Sequence, residues 1–215
     1  MASVPAAPNP PLPFMSFPPD TPTRRLLHRR TLQVEVAALG DGRWEACAEL
    51  VDVKTSDRMM VDGPRPAGTP IHQLGVRVVV DAGLNVLEAG STSAWVPYPG
   101  HCEHHGGAYA ALVGLNLGRG FRRALGERLG GVRGCTHLTE LAQVLPSAVI
   151  QGLVGETIDP RDSEDADTPP FQLDRCHALS RDGEVVRLHY PRWARQPHAN
   201  KGNDNPGAEP ANRQP

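Results

Sequence analysis

The sequence predicts an α+β fold: a small antiparallel β-sheet made of hairpins, followed by helices that pack on it. Three observations carry the prediction. Apolar residues alternate with polar ones from Leu32 onward, alternate again from His72 onward, and switch to a helical period after Cys102.

In the first alternating stretch Leu32, Val34 and Val36 share one face. Asp41-Gly42 then offers a tight turn, and Trp44, Ala46, Ala48 and Leu50 return along the same face. A second hairpin begins at Ile71. There His72, Leu74, Val76, Val78 and Val80 alternate, Asp81-Ala82-Gly83 turns the chain, and Leu84 to Ala89 comes back. Strict alternation points His72 the same way as the core residues.

Beyond Cys102, Ala108, Leu112 and Leu115 form an apolar stripe that Phe121, Ala124, Leu125 and Leu129 resume. Gly114, Gly118 and Gly120 weaken its middle, which predicts a kink or two shorter helices. A further helix starts near Thr136, buries Leu138, Leu141, Ala142 and Leu145, and ends or bends at Pro146. Val185 to Tyr190 reads as a last strand-like piece. The expected organisation is one domain over residues 23–195, with an acidic, proline-containing loop at 159–170. It lies between disordered tails at 1–22, rich in proline, and 196–215, poor in apolar residues.

Composition narrows the function. At 215 residues with a formal net charge of −2, the chain carries no global field that would favour nucleic acid or an anionic membrane. Its one basic cluster, Arg24, Arg25, His28, Arg29 and Arg30, reads as a solvated strand entrance. The N-terminal stretch has no charged leader and no long apolar run, so a cytoplasmic protein is expected, without nucleic-acid or membrane partners. In that compartment Cys47, Cys102, Cys135 and Cys176 stay reduced, which favours metal binding or thiol chemistry over disulfides.

No phosphate loop, nucleophile elbow or His-Glu-x-x-His zinc helix is present. The chemistry that remains is imidazole and thiol: His72, His101-Cys102, His104, His105, Cys135, His137 and Cys176-His177. Without a Cys-x-x-Cys pair each has an ordinary reading as well, Cys135 as a small buried hydrophobe and His72 as a satisfied core histidine. Together they say more. Cys135 precedes a helix that Thr136 caps, a position where the helix's positive end favours a thiolate, and His137 follows within the first turn. His72 at a strand start and Cys102 before a helix would complete a four-ligand site for zinc or iron. Asp52 and Lys54 lie on the face of Trp44 to Leu50. If the strand continues past Leu50 they approach this site as orienter or charge stabiliser, and if it stops they are loop charges. Whether Cys176 and His177 join the site stays open.

Two resemblances follow from these residues. Arg24 to Arg30, Asp41-Gly42-x-Trp44-Glu45-Ala46, Leu50-x-Asp52-x-Lys54, Pro70-Ile71-His72, Pro97 to Cys102, Gly134-Cys135-Thr136-His137-Leu138 and Cys176-His177-Ala178 resemble an uncharacterised bacterial family of unknown function, DUF2889, over roughly residues 24–193. The order Pro70-Ile71-His72, hairpin, Cys102 before a helix, and Arg133-x-Cys135 opening a later helix resembles iron-sulfur cluster scaffold proteins of the IscU/SufU type, with His72 in place of the first cysteine. The second likeness implies a small antiparallel sheet packed by helices and a metal or cluster site. Three functions are therefore expected to compete. The first is a metal-binding domain with His72, Cys102, Cys135 and His137 as ligands. The second is an enzyme with Cys135 as nucleophile, His72 or His137 as base and an acyl or thioester substrate. The third is an accessory binding module with buried cysteines.

Overall fold

The computed structural model describes residues 23–160 and 167–195; the two expected tails and the middle of the acidic loop, 161–166, lie outside them. The chain divides into two compact units, Met1–Gly152 and Leu153–Pro215.

The first unit is α+β, as expected. Strands β1 (His28–Gly40) and β2 (Arg43–Lys54) form the first hairpin, β3 (Arg58–Met60) and β4 (Gly63–Arg65) a small separate ribbon, and β5 (Pro70–Asp81) and β6 (Val86–Trp95) the second hairpin. The four long strands make one antiparallel sheet in the order β1-β2-β5-β6. Asp41 and Gly42 both have positive φ, 49° and 74°, the geometry that suits a two-residue turn to the twist of the strands. In the second turn the left-handed residue is Leu84, with φ 65°. The Asp81 carboxylate holds this turn by accepting the Asn85 backbone N–H at 2.9 Å.

Alternation works as read. Trp44, Ala46, Ala48 and Leu50 of β2 and Leu74, Val76, Val78 and Val80 of β5 are buried on one face. Residues Cys102–Leu112 form a 3₁₀ helix that contributes the fully buried Tyr109 and Leu112. Helix α1 (Phe121–Leu129) follows after the glycines, so the predicted interruption is real, and it buries Phe121, Leu125 and Leu129. Helix α2 (Thr136–Leu153) buries Leu138, Leu141, Ala142, Leu145 and Val149, and Pro146 lies inside it rather than at its end. Near its C-terminus Gly152 meets β1 so closely that a Cβ there would stand 2.9 Å from Val36.

The second unit corrects one expectation. Val185 to Tyr190 is not strand-like: helix α3 spans Glu184–His189. Its turns are closed by Arg187 N–H to Gly183 C=O at 3.2 Å and Tyr190 N–H to Val186 C=O at 2.9 Å. The β-branched pair Val185-Val186 suggests a strand, but Val186 is buried while Val185 and Leu188 are exposed, so no alternating buried face supports one.

Candidate functional site

The site grows out of strand register. Counting outward from the Asp41-Gly42 turn places Arg30 of β1 opposite Asp52 of β2, and on the other side Asp52 stands opposite His72 of β5. Because β2 runs on to Lys54, Asp52 keeps the inward phase of Leu50 and is only 2% exposed. A buried carboxylate needs its lone pairs filled. Arg30 grips it with two charge-assisted bonds, Nε to Oδ1 at 2.8 Å and Nη2 to Oδ2 at 2.7 Å. His28 Nε2 lies 3.0 Å from Oδ1, and His72 Nδ1 lies 3.0 Å from Oδ2. Arg30 in turn reaches Glu140 of α2 through Nη1 at 2.6 Å, so the row of strand residues is tied to the helix above it.

Burial alone would push the Asp52 carboxyl up, but the hydrogen bonds and charge of Arg30, helped by His72 and His28, outweigh it and leave the group below its ordinary range. Asp52 is therefore an anion that accepts from the His72 ring, which places the ring proton on Nδ1 and leaves Nε2 as the nitrogen with a free lone pair. For His72 burial dominates and lowers its proton affinity, with Asp52 pulling the other way. His137 is lowered by burial first, then by His72 and Arg30. Both imidazoles are thus favoured as neutral rings, the form that ligates a metal or takes a proton.

The two rings stack, with centroids 4.0 Å apart and planes tilted 34°. Helix α2 supplies the second ring together with a thiol. Thr139 N–H bonds the Cys135 C=O at 2.9 Å, the first helical hydrogen bond, so Cys135 itself holds the cap position and Thr136 begins the helix. This corrects the expected cap by one residue. Cys135 Sγ lies 3.9 Å from His137 Nδ1. Its backbone is pinned from the 3₁₀ helix: the Tyr109 hydroxyl donates to Cys135 C=O at 2.8 Å and accepts from Cys135 N–H at 3.1 Å.

His72, Cys102, Cys135 and His137, predicted as one set from sequence, all line a single cavity of about 220 Å³, walled also by Leu74 and Val96. Asp52, His72 and His137 bring ligand-capable atoms within 4.8 Å of one another, yet the Asp52 oxygens already face four partner atoms. Asp52 is thus fully partnered, and of the four predicted ligands only His72 and His137 belong to this close group; Cys102 and Cys135 share the cavity but not the group. Lys54, at the end of β2, lies outside the cavity lining and outside the ion pairs of Asp52. Cys47 is exposed, and His101 and His104 are exposed and meet edge-on at 6.5 Å; the side chain of His105 is outside the description. Cys176 and His177 belong to the second unit, where both are exposed.

Sequence reasoning missed Arg30, His28, Glu140 and Tyr109. The signal for the first two was available, because the hairpin register fixed by the turn pairs Arg30 with Asp52, while the basic cluster as a whole read as solvated.

Among the described residues no helix is long and apolar enough to cross a membrane. No curated protein and no solved structure matches the chain, so the likeness to IscU/SufU-type scaffolds gains no support. A family model described as "Protein of unknown function (DUF2889)" matches residues 28–151, more than half of the chain. The match starts with β1, ends within α2, and contains every residue of the Asp52-His72-His137-Cys135 cluster; it is narrower than the 24–193 expected, leaving Cys176-His177 outside. The chain belongs to this family.

Proposed function

We propose that this DUF2889 member is a metal-binding protein whose centre is the imidazole-thiol cavity, with His72, His137, Cys135 and Cys102 as ligands for zinc or ferrous iron. The observation that carries the reading is the hydrogen bond from His72 to a buried, fully partnered carboxylate, on a ring that shares its cavity with a second imidazole and two thiols. A histidine that ligates a metal generally gives its other ring N–H to such an acceptor, which fixes tautomer and orientation. Two nitrogen and two sulfur donors suit zinc, and the same set suits iron. Asp52 orients, and Arg30 holds Asp52.

Elemental analysis of protein purified without a histidine tag or chelator tests this. The expected result is about one zinc or iron per chain, lost in Cys135→Ser and His137→Ala. An Asp52→Asn variant should still bind, with affinity reduced roughly 10- to 100-fold in a competition titration. Protein that takes up no metal when zinc or ferrous iron is supplied anaerobically sinks the proposal.

The 3.9 Å approach of Cys135 Sγ to His137 Nδ1 favours a second reading, in which Cys135 is a nucleophile for acyl or thioester substrates and His137 its base. In metal-free protein at neutral pH, iodoacetamide would then label Cys135 faster than the exposed Cys47, and His137→Asn would remove the difference. Labelling no faster than Cys47 removes this reading.

A further inference from the structure

We propose that the cavity holding His72, His137 and the two thiols takes a compact, uncharged molecule with one polar head and an apolar body. The inference rests on the metal-centre reading only for what the polar head meets; the rest comes from the cavity's size and walls.

Size comes first. About 220 Å³ corresponds to about seven water volumes at ~30 Å³ each, below the range of roughly 300–1,000 Å³ in which drug-sized ligands are held. A nucleotide or a coenzyme does not fit inside it.

Charge comes second. Among the described residues that line the cavity none is Asp, Glu, Lys or Arg. Two charged residues that bond to lining residues are already paired: Asp52, which bonds His72, and Arg65, which bonds the Val96 carbonyl. Asp52 is held by Arg30 with both oxygens engaged. Arg65, only 6% exposed, bonds Asp62 at 2.8 Å and the Val96 carbonyl at 3.3 Å, and its guanidinium lies over the Trp95 ring at 5.2 Å. Neither presents a free charge to a ligand. An ionic ligand would have to shed its hydration without a counter-charge, a penalty that an uncharged one escapes.

The lining is mixed in polarity. Leu74 and Val96, both nearly fully buried, are apolar wall, while the imidazoles and thiols supply polar groups that a ligand's head can meet. Tyr98 is 55% exposed while lining the same cavity, which makes it the rim through which a ligand enters.

A matched set of probes tests this: cyclohexanol, cyclohexanecarboxylate and cyclohexylammonium, titrated into the metal-free full-length chain and followed by NMR on the Leu74 and Val96 methyl groups and the Tyr98 ring. The expected result is saturable shifts for cyclohexanol, weaker binding by at least about tenfold for both ions, and loss of the cyclohexanol response in Ser93→Phe, which fills the cavity from β6. Wild-type protein in which either ion binds as well as the alcohol, or in which none of the three shifts those methyl groups, overturns the inference, whatever the fold of the variant. Zinc uptake is measured on a separate sample. Uptake without cyclohexanol binding leaves the metal reading standing and this inference refuted; cyclohexanol binding without uptake does the reverse.

Discussion

Asp52 shows how a single residue turns fold into chemistry. An inward-facing carboxylate two residues past Leu50 would cost several kcal/mol as an unpaired buried charge, and it is tolerable only because Arg30 and two histidines close around it. Removing the cation strands the anion. Arg30→Leu is therefore expected to lower the free energy of unfolding by about 3 kcal/mol in urea titrations. Arg30→Leu combined with Asp52→Leu should be milder than Arg30→Leu alone, because both polar partners are then gone. A double variant that unfolds more easily than the single one would mean that Asp52 stabilises the fold through His28 and His72 rather than through Arg30. The same carboxylate selects the His72 tautomer, so one residue joins stability to the ring nitrogen left with a free lone pair.

At the scale of elements, one short segment, the 3₁₀ helix, holds the backbone that carries the thiol. The Tyr109 hydroxyl, on a residue with no exposure, both donates to and accepts from the Cys135 backbone and lies 2.9 Å from Thr139 Oγ1. Tyr109→Phe leaves these groups short of a partner and should cost about 1–3 kcal/mol. It should also raise amide exchange at Cys135 and Thr139 far more than at Leu145, in the middle of the same helix. Uniform exchange along α2 would show that the hydroxyl does not hold the helix start. The β5-β6 turn is a second local device. Hydrogen bonds from the Asn85 side chain, then burial acting against them, then backbone N–H groups leave the Asp81 carboxyl below its ordinary range. A depressed folded value means that the turn's contribution is complete above the unfolded value, about 3.9, and is lost as pH falls through the lower folded one. Protection of the Asn85 amide should fall over that acid window and be pH-independent there in Asp81→Asn. Both hairpins were legible in the sequence because alternation and turn chemistry are local. The helix over Glu184–His189 was not, since only Val186 of its apolar residues is buried and β-branching argues the other way.

Across the whole chain, the candidate site is assembled from distant pieces: β5 supplies His72, the start of the 3₁₀ helix Cys102, and the start of α2 Cys135 and His137. That these four share a cavity was legible from their placement at the ends of elements, where side chains of different segments meet. The support beneath them was not. Arg30 and Glu140 become partners only when α2 lies along β1, a contact that no local pattern encodes. Under the proposed function, a metal held by such ligands binds the folded first unit more tightly than the unfolded chain and so adds to stability by mass action. At free zinc a thousandfold above the dissociation constant the gain is about 4 kcal/mol. For a chain of this size that corresponds to a rise in Tm of roughly 8–16 °C. Scanning calorimetry should show the transition moving up with zinc concentration, unmoved by magnesium, and returning when chelator is added. His72→Ala and Cys135→Ser should each flatten the dependence. A transition that zinc leaves in place while Asp52, His72 and His137 keep their contacts would make the cluster a purely structural device, with the stacked imidazoles and their carboxylate serving to lock β5 to α2.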